Sequence, residues 1–310
     1  MVLHQFPDLH WLKAQANTRF ANRQVVNGGR LENDGWPTVI LNAKTKGIVR
    51  DNIRGPLSIF TNLSGNSVVA VDKKRVTQTP ETFFISNAGQ HYTPEIKESV
   101  PTETFNIHFG EYFVEKALQS YFSTTHQLLE NKGDPNRKEF GFHNRIVPNN
   151  AEFHAILNSI RQNEKDDLFV DEQLFQLLSL LLREEKKVHE MYDRFMVIKS
   201  STREEILKRL IASTDYLHAF YINNPSLDEL ARISCLSKFH FLRLFKIAYG
   251  LTPHQFITAL KINKAKELLQ NTCAEVKIIA HQLGFDNTSA FSRLFHHQTG
   301  VYPSQFRANS

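Results

Sequence analysis

The chain has 310 residues, 41% of them hydrophobic, a formal net charge of +5 and two cysteines. That length can bury two separate cores, and two cysteines exclude a disulfide-framed secreted scaffold. No apolar run reaches the roughly 18 residues of a membrane span, and the N-terminal MVLHQFPDLHWLK lacks the form of a signal peptide, so a cytoplasmic protein with no membrane partner is expected.

From about Trp36 to Phe109 the apolar residues recur with a period near two. Candidate strands are Trp36–Leu41, Leu57–Leu63, Ser67–Asp72, Thr82–Ser86 and Thr104–Phe109. Turn residues separate them at Ser64-Gly65-Asn66, Asp72-Lys73-Lys74 and Asn87-Ala88-Gly89. Short strands at such spacing predict a small barrel or sandwich. Helices follow. Asn149 or Asn150 caps one that runs to about Arg161, and Asp166 or Asp167 starts another that runs to about Glu190. The second carries Leu168, Leu174, Phe175, Leu177, Leu178, Leu181, Leu182 and Val188, a stripe wide for a lone surface helix. It predicts packing on the barrel or self-association about a two-fold axis. The polar stretch Arg194–Thr202 suits an interdomain linker.

The last part of the chain is written twice. Phe241–Phe256 reads FLRLFKIAYGLTPHQF and Phe291–Phe306 reads FSRLFHHQTGVYPSQF, and eight residue types match fifty positions apart. Such self-similarity means that one supersecondary unit was built twice. In the first copy Ser226 caps a short helix, Ser234-Cys235-Leu236 makes a tight turn, and Ser237 caps a second helix. That helix aligns Phe241, Leu244, Phe245 and Ala248 at helical spacing and stops at Gly250. The second copy repeats this over Val276–Leu283, a turn at Gly284-Phe285, and Asn287–Thr299. Each unit reads as a helix-turn-helix. Pro253 starts a joining helix to about Gln270, with Phe256, Ile257, Leu260, Ala265, Leu268 and Leu269 expected inside. A rod of roughly 25 Å can hold two recognition helices about one DNA turn, ~34 Å, apart. Residues 203–310 hold 13 Lys and Arg against 8 Asp and Glu, so the whole net charge of the chain lies in this part. That excess suits phosphate.

On these residues, about Glu204 to Arg307, the chain resembles the AraC/XylS family of bacterial transcription regulators. The repeat, the string IAHQLGFDNTSAFSRLFHHQTGVYPSQFR and the Gly-x-x-Pro-x-x-Phe endings carry the resemblance. It implies a DNA-binding domain of about seven helices. It also implies base-reading positions at Lys238, Phe239, Leu242 and Arg243, and at Asn287, Thr288, Ser289, Ala290 and Arg293. The two arginines can pair bidentately with guanine, and Phe239 and Leu242 suit thymine methyls. Lys246, Lys261, Lys264 and Lys266 are the expected phosphate contacts, with a solvated surface charge as the alternative for each. Where the family has Gly in the first turn this chain has Cys235, a residue strained if its φ is positive.

The strands in front resemble the cupin-type sensor barrel of many family members. His91 and His108 stand alone, without the His-x-His pair of metal cupins, so neither a metal nor a cofactor is expected. His91 and Tyr92 are candidate effector contacts at the barrel mouth, a plain surface histidine being the alternative for His91. The expected fold is therefore α+β. A cupin-like β-barrel (about 20–110) and flanking helices (about 111–190) form a domain 1–200. An all-α domain 203–310 follows, with helix-turn-helix units at about 226–250 and 275–300 and a linker helix between them. The expected function is sequence-specific transcription regulation, responsive to a small-molecule effector in the barrel, with double-stranded DNA, a second copy of the chain and RNA polymerase as partners. The alternative is a regulator without a ligand, whose barrel serves interaction or dimerisation. No paired carboxylates or nucleophile–base set points to an enzyme. Both cysteines lie outside the N-terminal part, where the family's DNA-repair methyltransferases need them.

Overall fold

A computed structural model of the chain describes residues 1–12, 36–71, 74–97, 99–122, 141–195 and 200–308. It divides into two compact units, Met1–His189 and Glu190–Ser310. The expected linker, Arg194–Thr202, falls in the second unit. Its residues 196–199, and Asp72 and Lys73 of one expected turn, lie outside the described residues, and Ser200–Thr202 already belong to a helix.

In the first unit the described strands form two hydrogen-bonded sheets and not the closed barrel expected. The larger sheet has the order β1 (Val2–Leu3), β2 (Val39–Thr45), β10 (Thr102–Phe109), β5 (Leu57–Ser64), β8 (Thr82–Ser86) and β11 (Arg145–Pro148). The smaller has β3 (Ile48–Val49), β9 (His91–Ile96), β6 (Ser67–Val71) and β7 (Lys74–Gln78), with β4 (Ile53–Arg54) also on β9. Among the described strands only β1 pairs in parallel. Helices α1 (Glu111–Phe122), α2 (Ala151–Gln162) and α3 (Asp167–Asp193) complete the segment. The stretch expected to be only helices thus also contains β11, which returns to pair with β8 from Arg145↔Ile85 to Pro148↔Thr82.

Strands β5, β8 and β10 are buried on both faces, which is why they read as near-continuous apolar runs. Side chains alternate across a strand. One face, with Ile59, Phe83, Ile85, Phe105 and Ile107, joins a core with Phe153, Ile156 and Ile160 of α2 and Leu174, Leu177, Leu178 and Leu181 of α3. The stripe on α3 is therefore spent on its own unit, and only Leu168 and Phe175 of it remain exposed. The other face belongs to a second core with Trp36, Phe60, Phe84, Val69, Val71 and Tyr92. This side is mixed: Ser58, Asn62, Asn106 and His108 are also buried.

Two buried ionisable groups stand out. Burial alone would raise the carboxyl of Glu185 on α3. Hydrogen bonds from the His143 ring and from the His143 backbone N–H (3.2 Å), with the charge of Arg145, overturn this and hold it below the usual carboxylate range. Among the described residues His108 has no acidic partner: burial pushes its ring down to about 4, so it is neutral at pH 7.

An unfolded histidine titrates near 6.5, so between about 4 and 6.5 the unfolded chain binds a proton that the folded chain refuses. Stability contributed by neutral His108 is present above that window and lost as pH falls through it, up to about 3 kcal/mol. Trp11 and Trp36 both lie in the first unit, so tryptophan fluorescence in denaturant reports on it alone. His108→Gln is expected to flatten the fall in stability between these pH values, and an unchanged slope would contradict the assignment.

Candidate nucleic-acid interface

The second unit holds seven described helices over residues 200–308: α4 (Ser200–Phe220), α5 (Leu227–Ile233), α6 (Lys238–Tyr249), α7 (Pro253–Asn271), α8 (Val276–Gln282), α9 (Thr288–Thr299) and α10 (Pro303–Ala308), with a 3-10 turn at Tyr221–Asn223. The turns of the α5/α6 and α8/α9 pairs are built bond for bond alike. In the first turn Cys235 N donates to Arg232 O (3.0 Å) and Leu236 N to Ala231 O (2.9 Å). In the second Gly284 N donates to His281 O (3.0 Å) and Phe285 N to Ala280 O (3.0 Å). Cys235 takes the place of Gly284 and adopts φ 51°, a left-handed conformation that is strained for a residue with a Cβ.

The eight matched residues each have a role the geometry explains. Phe241 and Phe245 are buried, as are Phe291 and Phe295. Gly250 and Gly300 cap α6 and α9 at φ 73° and 79°. Pro253 and Pro303 open α7 and α10, where a missing N–H is harmless. The Gln255 side chain accepts from Thr252 N (2.9 Å), as Gln305 does from Tyr302 N (3.0 Å). Phe245 meets Phe256 edge-on at 5.6 Å, and Phe295 meets Phe306 at 5.5 Å. Leu244 is buried while its counterpart Leu294 is half-buried. Arg243 and Arg293 alone are exposed charges.

On α6 the exposed side carries Lys238, Phe239, Arg243 and Lys246, with Leu242 half-buried. Phe239 is 86% exposed, the most water-accessible large apolar side chain described. Lys238 is paired with Asp228 at 2.7 Å. On α9 Ser289 and Arg293 are exposed and Thr288 and Ala290 half-buried. Asn287 is the N-cap, its Oδ1 accepting from Ala290 N at 2.7 Å, which leaves both amide N–H groups and the second lone pair of Oδ1 for a partner. His240 and Ile247 on α6 and His296 and His297 on α9 are also exposed. His240 and Ile247 adjoin Phe239 and Lys246 in the chain, and His296 and His297 stand one turn beyond Arg293.

Lys261 corrects an expectation. It is no surface phosphate contact but a buried strut of α7. Its Nζ donates to Asn224 Oδ1 (2.8 Å) and Gly284 O (3.4 Å) and sits 4.8 Å above the Phe285 ring. Burial lowers its pKa, countered by Asp286. Lys264 is paired with Glu267 at 2.8 Å and Lys266 is half-buried. The inside of α7 also differs. Thr258, Lys261 and Ile262 are buried, and Phe256, Leu260 and Leu268 only half-buried, because a rod packed by helices on more than one side has no single stripe.

His91 and Tyr92 part company, as neighbours on a strand must. His91 is exposed and bonded to Asn52 Oδ1 at 2.9 Å. Tyr92 is buried and lines a gap between the two sheets. Burial also pushes the Tyr92 hydroxyl up.

Two exposed recognition helices with basic residues, held in repeat on one rod, define a double helix-turn-helix DNA-binding domain. Residues 230–309 match a helix-turn-helix domain family. The probable transcriptional regulator LumQ of Photobacterium leiognathi is 24% identical over 254 residues, 80% of this chain and 88% of LumQ. The MmsAB operon regulatory protein of Pseudomonas aeruginosa is 38% identical over 93 residues, 30% of this chain and 29% of that one. The transcriptional activator RhaS of Shigella boydii is 29% identical over 168 residues, 50% and 55% of the two chains. This chain thus spans most of LumQ and about half or less of the other two. Among solved structures, an AraC-type regulator from Chromobacterium violaceum is 24% identical, covering 36% of this chain and 95% of that one at a TM-score of 0.31. ToxT from Vibrio cholerae O395 is 13% identical, covering 87% and 96% at 0.33. Residues 230–309 thus form a helix-turn-helix DNA-binding domain similar to that of AraC-type transcriptional regulators. Among the described residues no helix is long and apolar enough to cross a membrane.

The two turns predict opposite responses. Cys235→Gly relieves the left-handed strain and raises stability by up to about 1 kcal/mol. Gly284→Ala puts a Cβ 2.1 Å from Ile222 O at φ 71°, and lowers stability by about 3 kcal/mol or more; denaturant midpoints distinguish them. Lys261→Met is expected to destabilise by about 1–2 kcal/mol while leaving the salt dependence of DNA binding as in wild type. A phosphate-contacting lysine would lower that slope by about 0.9.

Proposed function

We propose that the chain reads a specific DNA site with both helix-turn-helix units of one subunit and answers to a small molecule held between the sheets of its first unit. What carries the DNA reading is the pairing of conserved geometry with divergent surface within one chain. The scaffold of α5/α6 recurs in α8/α9, whereas the exposed residues differ: Lys238, Phe239 and Leu242 in the first, Asn287, Thr288, Ser289 and Ala290 in the second. Arg243 and Arg293 recur in both and suit guanine O6 and N7. Each unit therefore grips DNA alike and reads a different sequence. Lys246 is exposed and suits a phosphate.

The effector reading rests on the gap beside Tyr92. Its enclosed part is about 40 Å³, room for a few waters, so a molecule held there extends into the open mouth. Bound there, a molecule alters regulation only by favouring one arrangement of the DNA-binding units over another. A second reading, a regulator with no ligand, draws on Phe60, Tyr92 and His108, whose rings pack within 4.9 to 6.2 Å of one another and fill part of that space. A thermal-shift screen of metabolites separates the two, because a ligand bound only by the folded state raises its stability. The homodimer is part of the proposal on resemblance, with Leu168 and Phe175 on α3 as the apolar residues left over to serve it.

Selection of bound DNA from random sequence, with and without metabolite pools, tests site length, spacing and effector dependence together. A selected site confined to one major groove would contradict reading by both units. Arg243→Ala and Arg293→Ala are each expected to weaken binding to the selected site by about 1–3 kcal/mol and to relax preference at one position, in opposite halves of the site. Lys246→Ala should weaken all sequences alike.

A further inference from the structure

The gap between the sheets contains a hydrogen-bond acceptor whose orientation the surrounding bonds dictate. Ser58 Oγ donates its single hydrogen to Pro56 O at 2.9 Å. It stands 2.9 Å from His108 Nδ1, and having no hydrogen left it can only accept there. Nδ1 therefore carries the proton, and Nε2 of this neutral, buried imidazole carries a lone pair. Among the described residues Nε2 has no partner. The sealed, unpartnered side-chain atoms lie elsewhere, Gln78 Oε1 and Ser86 Oγ among them, so the Nε2 edge of His108 opens on the gap it lines.

Around that point the walls are apolar and aromatic, with Trp36 5.6 Å and Phe60 5.7 Å from the His108 ring. The one cation lining the gap is Arg50. It is half-buried and spends one donor on Pro7 O at 2.6 Å. Among the described residues no carboxylate pairs with it. A guanidinium has five N–H donors, so Arg50 keeps donors for a further partner. A fixed acceptor, an apolar body and a cation with spare donors are complementary to a molecule with a donor, an apolar middle and an anion.

We propose that the gap binds a small aromatic or alicyclic carboxylic acid bearing a hydroxyl, the hydroxyl donating to His108 Nε2 and the carboxylate pairing with Arg50. This rests on the effector reading above and names the ligand class for it. Tyr92 forms a wall of the same site, and His91, on the opposite face of β9, takes no part.

The test is calorimetric titration of the full chain with a length series: para-hydroxybenzoate, para-hydroxyphenylacetate and para-hydroxyphenylpropanoate, each beside its analogue without the hydroxyl, and para-cresol as the uncharged probe. One hydroxy acid is expected to bind about tenfold more tightly than its deoxy analogue, the worth of one satisfied hydrogen bond. His108→Phe is expected to abolish that ratio, and Arg50→Gln to weaken the acid while leaving para-cresol unchanged. Ser58→Ala, a milder change that frees the imidazole to adopt either tautomer, is expected to shrink the ratio should His108→Phe fail to fold. Equal binding of a hydroxy acid and its analogue by the wild-type chain overturns the proposal and leaves the effector reading intact. Failure of every probe overturns it as well. The effector reading then falls only if the metabolite screen also yields nothing.

Discussion

The DNA-binding unit turns on one close approach. The backbone of Gly284 lies against the carbonyl of Ile222 so tightly that no Cβ fits between them, and Lys261 clamps the same place by reaching both Gly284 O and Asn224 Oδ1. Three segments meet there: the turn of the second helix-turn-helix, the connection that leads into the first, and the joining helix α7. Because the turn cannot slide past that carbonyl, α8 and α9 are fixed to the element from which α5 and α6 spring. A pair of recognition helices is useful only if their separation is constant, and a buried cation between two backbone segments is a stiff way to keep it so. The desolvation of Lys261 is offset by its hydrogen bonds and by Asp286, the condition under which a buried charge is tolerable.

The first unit solves a different problem. Its larger sheet is covered on both faces, so its central strands must be apolar on the helix side while holding a mixed set of groups on the other. Asn62, Asn106 and Ser58 manage this by bonding to backbone and to neighbouring side chains. The result is a sandwich whose helix side is a dry core and whose inner side contains polar atoms at chosen points. Such an asymmetry between the faces of one sheet is what separates a layer built only for stability from one that can also receive a guest.

Much of this was legible in the residues, and what was not has physical causes. The repeat in the last third showed itself because its matches are cap, stop and core residues, whose roles depend on local geometry alone. Asn150, Ser226 and Asn287 could be read as caps for the same reason. The central strands β5, β8 and β10 were visible as apolar runs. Strands β7, β9 and β11 were not: β7 has one apolar residue, β9 contains Pro94 and β11 ends on Pro148, so none has an alternation to detect. Lys261 could not be placed either. A lysine on a helix reads as solvent-facing unless one knows that the next unit's turn folds over it. His91 and Tyr92 are adjacent in the sequence, yet adjacency on a strand sends them to opposite faces. The importance of His108 came only from Ser58, fifty residues away in sequence.

Phe239 has a consequence of its own. A ring so exposed on α6 is hydrated in the free protein, and in the proposed complex it would lose that hydration against a thymine methyl. Burying apolar surface lowers the heat capacity, whereas contacts between cations and phosphates release counterions and respond to ionic strength. The first helix-turn-helix therefore combines two grips: burial of Phe239 and Leu242, which lowers the heat capacity, and the charges of Arg243 and Lys246, which respond to salt. The second presents serine, threonine and Arg293 and has no ring on its reading surface. A shift in temperature would then change the hold on one end of the footprint more than on the other.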